Sequence, residues 1–236
     1  MKITVINGNM RHGSTWHCKE LFLKELAKNH QNGVVEFALP LDMPHFCTGC
    51  FGCITRGENT CPHATSVQPI AKAILDADLL VFTSSVYGMD VTGQMKTLLD
   101  HLCYQWMSHR PNASMFDKIA LTITTTAGVG GSHTTKTMSN SLKFWGVKRI
   151  VNAKYAVAAM KWEEVTPKNR IKIEKSIVKK ANKIESYITR KKKLLPMPFT
   201  RFFFWMMKGM MKKNDWNLTD RNHWEKMGWL DKANPF

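Results

Sequence analysis

Short runs of β-branched and aliphatic residues alternate along the chain with longer stretches in which apolar residues recur every three or four positions. The short runs predict strands, and the longer stretches predict amphipathic helices. Strands that alternate with helices indicate a parallel sheet covered by helices on both faces. The predicted strands span residues 3–6, 34–39, 79–83, 119–124 and 150–157.

One helix is predicted after each strand, and three of these helices have a recognisable end. Ser66 is expected to cap the second helix, Gly146 to end the fourth, and Thr166 with Pro167 to start the fifth. The apolar faces consist of Cys18, Leu21, Phe22 and Leu26; Val67, Ile70, Ala71, Ile74 and Leu75; Met95, Leu98, Leu99, Leu102 and Trp106; Met138, Leu142 and Trp145; and Ile171, Ile177, Val178, Ala181, Ile184 and Ile188.

The loop after the first strand is suited to a phosphate group. Ligands of parallel sheets bind beyond the carboxyl ends of the strands, where the next helix offers unpaired N–H groups and a partial positive charge. Gly8 and Gly13 permit tight turns, Ser14 and Thr15 supply hydroxyls, and Arg11 supplies a full charge. A helix capped by Ser14 without a ligand is the alternative, but capping alone requires neither the arginine nor the two glycines.

The same loop limits the kind of phosphate. Its two glycines have the spacing of a P-loop, but Ser14 stands where that motif needs lysine. The G-x-G-x-x-G pattern of dinucleotide-binding folds is also missing from the sequence. The loop is therefore compatible with a terminal monophosphate, which needs neither lysine nor a metal ion.

The loops after the third and fourth strands are also rich in hydroxyls and glycine. Tyr87, with the backbone amides beside it, could flank a planar heterocycle, and residues 124–132 hold three threonines and three glycines. Either loop alone is compatible with an ordinary turn. Three such loops at neighbouring strand ends favour a ligand site.

Residues 8–15, 85–89 and 92–100 together resemble the motifs of the NADPH-dependent FMN reductase branch of the flavodoxin-like superfamily, and the resemblance covers residues 1 to about 160. It implies a flavodoxin-like, doubly wound α/β fold with a five-stranded parallel sheet in the order 2-1-3-4-5. It also implies FMN as cofactor and NAD(P)H as co-substrate. Asn9-Met10-Arg11 departs from the Ser-Pro-Arg of many relatives, which keeps the arginine but makes the turn less rigid.

The resemblance assigns roles to single residues but implies no catalytic side chain, because the flavin ring itself carries the hydride and electron chemistry. We therefore expect an oxidoreductase that passes hydride from NAD(P)H to FMN and electrons to a quinone, flavin or other small acceptor. An electron carrier supplied by a redox protein is the alternative. The FMN phosphate would be held by Asn9, Arg11, Ser14 and Thr15; the isoalloxazine would lie along Val86, Tyr87 and Gly88 and be bordered by Thr126, Gly128 and Gly130; and Gly13, Ser85, Met89 and Ala127 complete the predicted contacts.

Four of the six cysteines, Cys47, Cys50, Cys53 and Cys61, lie within 15 residues after the second strand. The C-x2-C-x2-C spacing lets one loop reach three corners of an iron-sulfur cubane, and a fourth Cys followed by Pro is typical of ferredoxins. Structural zinc more often takes two separated pairs. The arrangement resembles that of iron-sulfur flavoproteins, which implies a [4Fe-4S] cluster. Reduced thiols, zinc or a redox disulfide are the alternatives.

The remaining cysteines and most histidines are expected to be structural. Cys18 and Cys103 lie on apolar helical faces and are predicted to be core residues. His63 lies in the cysteine loop and is a candidate contact to a donor or ligand, whereas His101 and His109 are expected to face solvent or fill helix surfaces.

Composition and charge narrow the classes of protein and partner. The chain has 236 residues, 44% of them hydrophobic, and a formal net charge of +16, of which +11 falls in residues 161–236. This apolar content is enough for a well-formed core, and the positive field favours anionic partners. The start of the chain lacks a secretory pattern, so we expect a cytoplasmic protein. We also expect the protein to be a homodimer. Nucleic-acid binding is not expected, because no recognisable module is present.

An aromatic, methionine-rich, basic and helical extension, residues 194–236, follows the predicted FMN-binding domain of residues 1–193. Its most apolar run, residues 202–207, has no polar face. We therefore expect the extension to cover the domain or a second subunit, and to wall the flavin site, in preference to peripheral contact with a membrane surface.

Overall fold

The structure, a computed structural model, describes residues 1–159 and 161–236. Within these residues, five parallel strands form one sheet in the order β2-β1-β3-β4-β5, which confirms the predicted fold. Because β2 and β3 lie on opposite sides of β1, the winding order reverses at β1. The strands are β1 (Lys2–Asn7), β2 (Gly33–Ala38), β3 (Leu79–Ser85), β4 (Ile119–Thr126) and β5 (Arg149–Ala156).

Helices follow the strands and cover both faces of the sheet, and two more form the extension. The α-helices are α1 (Ser14–Ala27), α2 (Gly52–Thr55), α3 (Ala64–Asp76), α4 (Gly93–His101), α5 (Gly131–Phe144), α6 (Pro167–Thr189), α7 (Pro198–Met211) and α8 (Leu218–Lys226). The 3₁₀ turns are Glu58–Thr60, Cys103–Gln105, Ala113–Asp117, Trp162–Glu164 and Lys191–Lys193.

Two apolar cores lie on opposite faces of the sheet. Ile3 and Val5 of β1 pack on one face with α1 and α6, and Ile6 packs on the other face with α3, α4 and α5. This division follows from the two-residue period of a strand. The inner strands are buried on both faces, as parallel strands generally are, because helices cover both sides of the sheet.

The predicted element ends have mixed outcomes. The Thr166 side chain caps α6, and Gly146, at φ +92°, follows α5, so both of these predictions are confirmed. The predicted Ser66 cap is wrong. α3 begins earlier, at Ala64, because the chain already turns at Cys61, whose carbonyl accepts a hydrogen bond from the Ala64 N–H at 3.0 Å.

β3 and β4 continue two residues further than the sequence predicts, to Ser85 and Thr126. The reason is mutual: Ser85 pairs with Thr125 at the end of the shared ladder, so each strand holds the other extended. The extra residues are hydroxyl-bearing, and they carry these hydroxyls to the carboxyl edge of the sheet.

In the extension, α7 and α8 pack on a third apolar cluster. Phe204 of α7 stacks on Trp224 of α8 with ring centroids 4.8 Å apart, and both join Phe116, just before β4. The sequence pattern predicts that the extension covers the domain or a second subunit; Phe204 covers the domain, whereas Phe202 and Trp205 are exposed in the single chain. Among the described residues, none of the helices combines the length and hydropathy that crossing a bilayer requires.

Candidate active site and the cysteine loop

A polar pocket of about 140 Å³ lies at the carboxyl ends of β1, β3 and β4. Its walls come from the three loops in which the sequence predicts a ligand site, because the carboxyl ends of parallel strands meet at one edge. The residues that line the pocket are Asn9, Arg11, Gly13, Ser14, Thr15, Ser85, Val86, Tyr87, Thr125, Thr126, Ala127, Val157 and Ala159.

Gly8 brings the first loop into contact with β3. Its N–H donates to the Thr83 carbonyl at 2.7 Å, and its own carbonyl accepts a hydrogen bond from the Thr92 hydroxyl at 2.6 Å. A Cβ at position 8 would lie 2.7 Å from the Thr83 oxygen. Only glycine therefore permits this approach, which fixes the direction in which the loop leaves the sheet.

A network of hydroxyls forms the floor of the pocket. The Thr15 hydroxyl oxygen lies 2.9 Å from that of Ser85 and 2.5 Å from that of Thr125, so the start of α1 and the ends of β3 and β4 meet at one side chain. Asn9 donates to the Ser85 hydroxyl at 3.2 Å, and its own side-chain oxygen accepts from the Arg11 N–H at 3.2 Å. These bonds place hydroxyl and amide groups around the pocket before any ligand binds.

Ser14 occupies the first residue of α1, and the residue before the helix is Gly13, so the alternative of a Ser14 cap is wrong. In the part of the chain that the structure describes, the Ser14 hydroxyl is buried and has no hydrogen-bond partner. The first N–H groups of a helix also lack partners within it, and they carry its positive dipole end. Arg11 alone among the described lining residues carries a formal charge. This end of the pocket is therefore suited to an anion.

The loops after β3 and β4 touch each other beside the pocket. Gly88 and Met89 adopt positive φ angles of +54° and +70°, which turns the first loop, and Tyr87 remains half exposed. Gly130, at φ +87°, approaches so closely that a Cβ there would lie 2.7 Å from Val86 Cγ1. Glycine at this position lets the two loops approach each other.

The cysteine loop lies between β2 and α3. Cys47 and Cys50 are exposed, and Cys53 and Cys61 are partly buried. A hydrogen bond from the Cys103 thiol and the charge of Arg110 lower the pKa of Cys53 to about 6. The Gly52 amide lowers the pKa of Cys50, whereas burial, and then the nearby cysteines of the loop, raise that of Cys61.

Cys103 packs against the core, as predicted, but it also contacts the cysteine loop. It is only partly buried, and the hydrogen bond it donates to Cys53, followed by burial, raises its pKa. Cys103 is therefore a neighbour of the cysteine loop. Cys18, in contrast, is fully buried on α1, as predicted.

Arg110 connects the cysteine loop to the extension. Its guanidinium donates to the carbonyls of Cys53 and Ile54 and to the carboxylate of Asp220, the last at 2.5 Å. Asp220, in α8, is 1% exposed and also lies 2.7 Å from His109 Nδ1. The extension thus holds one end of the loop in place.

Two histidines pack beside Cys61. His63 Nδ1 lies 3.0 Å from His101 Nε2, and His101 Nδ1 is 2.8 Å from the Thr97 carbonyl. The prediction of a solvent-facing or surface-filling His101 is wrong, because this side chain is buried. The ligand atoms of Cys61, His63 and His101 all lie within 4.8 Å of one another, so this set could hold a single metal ion.

The family model described as NADPH-dependent FMN reductase matches residues 1–163. The chain belongs to this family. It is a flavin-dependent oxidoreductase with FMN as cofactor and NAD(P)H as co-substrate.

Comparison with known proteins adds two kinds of likeness. The chain is 31% identical over 159 residues to an iron-sulfur flavoprotein of Archaeoglobus fulgidus, and the match covers 66% of this chain and 68% of that protein. In fold it is similar to an azoreductase from Bacillus anthracis, with TM-score 0.59 and 17% identity over 78% of this chain and 98% of that one. It is likewise similar to an FMN-dependent NADH-azoreductase from Bacillus anthracis solved with FMN, with TM-score 0.55 and 13% identity over 77% of this chain and 100% of that one.

The structure brings most, but not all, of the predicted site residues to one pocket. Sequence reasoning missed Thr125, Val157 and Ala159. Thr125 could have been inferred from the run of three threonines, whereas the other two reach the site only because β5 ends beside β4. A second pocket, which shares Thr126 with the polar pocket, is lined by three more of the predicted residues: Met89, Gly128 and Gly130. Gly88 lines neither of these two pockets.

Proposed function

We propose that the polar pocket holds the phosphate of FMN and that the flavin ring lies against the loops after β3 and β4. The observation that carries this proposal is the buried, unpartnered Ser14 hydroxyl at the start of α1. Leaving a buried hydroxyl without a hydrogen bond costs about 1–3 kcal/mol, so a ligand oxygen is the natural partner. A volume of about 140 Å³ suits the phosphate end and leaves the ring outside, on the exposed Tyr87 side.

The enzyme is proposed to take hydride from NAD(P)H and to pass electrons to a quinone, a flavin or another small acceptor. FMN, when bound, supplies both the hydride and the single-electron chemistry. The chain contributes binding and orientation: Ser14 and the α1 amides donate hydrogen bonds to the phosphate, Arg11 offsets its negative charge, and Thr15 holds the ends of β3 and β4 beside α1. Tyr87 and Met89 are half exposed or more, which leaves room for a nicotinamide and then an acceptor to approach the same face.

A comparison of FMN with riboflavin tests the phosphate assignment. Ser14→Ala is expected to weaken FMN binding by about 10-fold to 150-fold, which corresponds to the loss of one hydrogen bond to a charged group, about 1.5–3 kcal/mol. Riboflavin has no phosphate, so its affinity is expected to be unchanged. Fluorescence titration of the apo-protein measures both affinities, with Ser186→Ala on α6 as the matched control. Equal loss of affinity for both flavins would place Ser14 elsewhere in the site.

Anaerobic mixing separates an enzyme from a carrier. Addition of NADPH or NADH to the FMN-loaded protein is expected to bleach the visible flavin absorbance promptly. The carrier is the second candidate function, and the 31% identity to an iron-sulfur flavoprotein favours it. An unchanged spectrum with either nicotinamide, followed by bleaching with reduced ferredoxin, would support the carrier and contradict the enzyme.

We also propose that Cys47, Cys50, Cys53 and Cys61 hold a [4Fe-4S] cluster. Two features support the fit: the C-x2-C-x2-C spacing places three of the thiols in one short loop, and hydrogen bonds lower the pKa of Cys50 and Cys53, which favours their thiolates. Iron and sulfide analysis of anaerobically purified protein tests this. Zinc without sulfide, lost in Cys61→Ala but kept in Cys47→Ala, would instead assign a mononuclear site to Cys61, His63 and His101.

The proposed assembly is a homodimer. Its support is the group of exposed apolar side chains around the pocket, which a second copy could cover. Sedimentation velocity of the FMN-loaded protein tests it, with a monomer at all concentrations as the contrary result. The exposed apolar residues in question are Met10 and Val129, whereas Tyr87 and Met89 stay open to the nicotinamide and the acceptor.

A further inference from the structure

Helix α7 presents two unlike faces. Phe204, Met207 and Met211 recur at helical spacing and are buried in the third apolar cluster. On the opposite side, Phe202 is 62% exposed and Trp205 is 70% exposed. Large apolar side chains grouped on one exposed helical face are typical of an interaction surface. We name this surface, formed by Phe202, Trp205 and Met210, the outer face of α7.

The outer face is flanked by cations and lacks acidic neighbours in sequence. Residues 190–213 contain eight Lys and Arg and no Asp or Glu. Arg201 and Lys208 line a groove of about 690 Å³ beside Trp205, and Lys212 and Lys213 line a second groove that Trp205 also borders. The apolar strip is therefore bordered by positive charge along the helix.

This combination of groups favours one occupant among three. A second copy of the chain would bring the same cations together across a two-fold axis, because such an interface is self-complementary. Nucleic acid would satisfy the cations but would leave most of the apolar strip without a matching surface. An anionic bilayer satisfies both, since aromatic rings favour the interface and basic residues favour acidic headgroups.

We propose that the outer face of α7 binds the surface of an anionic phospholipid bilayer. Phe202, Trp205 and Met210 enter the interfacial layer, while Arg201 and the lysines contact lipid phosphates. Within the described residues, no member of the extension lines the polar pocket, so docking through α7 leaves the flavin site open. This assigns the extension a role in attachment that the sequence pattern alone did not favour.

Co-sedimentation of the full-length FMN-loaded protein with vesicles tests the proposal. Vesicles made of equal parts of phosphatidylglycerol and phosphatidylcholine are expected to bind the protein, and vesicles of phosphatidylcholine alone are expected to bind it at least about tenfold less. Raising the salt concentration is expected to release it, because salt screens the charges. No binding to the anionic vesicles at low salt would overturn the proposal.

Matched variants locate the binding surface. Trp205→Ser is expected to weaken anionic-vesicle binding about tenfold. Charge reversal of both Lys212 and Lys213 to Glu is expected to weaken binding to the anionic vesicles by about tenfold or more. The controls on α6 are Ile171→Ser, which removes an exposed apolar residue, and Lys172→Glu with Lys175→Glu, which makes the same change in net charge.

The controls and one further measurement keep the proposal open to refutation. Circular dichroism and the visible FMN spectrum check that each variant is folded. If the α6 variants lose as much binding as the α7 variants, binding follows net charge and the outer face is not the site. If Trp205→Ser instead converts a dimer into a monomer in sedimentation velocity and leaves vesicle binding intact, a second copy of the chain occupies the face.

Discussion

Removal of the Asp220 carboxylate is expected to destabilise the protein through the cysteine loop and the extension together. Asp220 is 1% exposed, and its partner Arg110 keeps only 7% of its side chain exposed. Asp220→Ala therefore leaves a buried guanidinium without its closest counter-charge. Breaking such a pair from one side costs about 3–5 kcal/mol. We expect the lower end of that range, about 3 kcal/mol, because Glu58 remains 3.2 Å from Arg110.

Urea unfolding of the apo-protein, followed by circular dichroism, measures this loss. Asp215→Ala is the matched control: Asp215 accepts from Arg221 at 2.6 Å in the same extension, but its side chain is 85% exposed. That variant is expected to lose less than about 1 kcal/mol. Asp220→Asn, which keeps a hydrogen-bond acceptor, is expected to lose less than Asp220→Ala. If Asp220→Ala and Asp215→Ala unfold alike, the buried pair does not anchor the extension and the reasoning fails.

Three further predictions concern the rest of the fold and are measured by urea unfolding. Gly146→Ala should destabilise the protein by more than about 2 kcal/mol, because the φ of Gly146 is +92° and a Cβ would lie 2.5 Å from the Phe116 ring. The control, Gly209→Ala, lies in open space on α7 and should stabilise the protein by up to about 1 kcal/mol. A Gly146→Ala variant as stable as the wild type would contradict this reasoning. Thr92→Val should cost about 1–3 kcal/mol, because the hydroxyl bonds the Gly8 carbonyl and caps α4, and a loss below about 0.5 kcal/mol would contradict this. Burial lowers the pKa of Lys118 to about 8, so between pH 8 and about pH 10 the folded protein binds fewer protons than the unfolded chain. The free energy of unfolding of the wild type should therefore rise over this range relative to that of Lys118→Met. A difference between the two proteins that stays constant with pH would refute the assignment.

The fold and the phosphate loop could be predicted because their signals are local. A strand that runs into Gly8 and then into a helix start with hydroxyls is visible in consecutive residues, and the structure places Ser14 and Thr15 in the pocket as this pattern implies. The period of apolar residues likewise predicted most of the buried helical faces. On α6 the prediction was wrong for Ile171 and Val178, which are exposed, while Ile173 is buried in their place. Element ends were less accurate, since Ser66 has the composition of a cap but α3 had already begun at Ala64.

The surroundings of the cysteine loop could not be predicted, because they depend on contacts between residues far apart in the sequence. Cys103 has the spacing of an ordinary core residue on its helix, yet the fold brings it to Cys53. His101 looks like a surface histidine until α3 places His63 beside it. No periodicity or motif contains this information, because each pair joins separate elements.

The same reasoning explains why the family match does not describe the whole site. The matched segment ends at residue 163, but Arg110 inside it depends on Asp220 outside it, and Asn217 donates to the Ile54 carbonyl at 3.2 Å. α8 therefore holds the cysteine loop through buried bonds, while α7 on the same extension exposes its outer face. Both helices share the third apolar cluster through Phe204 and its neighbours, so the helix that carries the outer face and the helix that holds the cysteine loop form one packed unit.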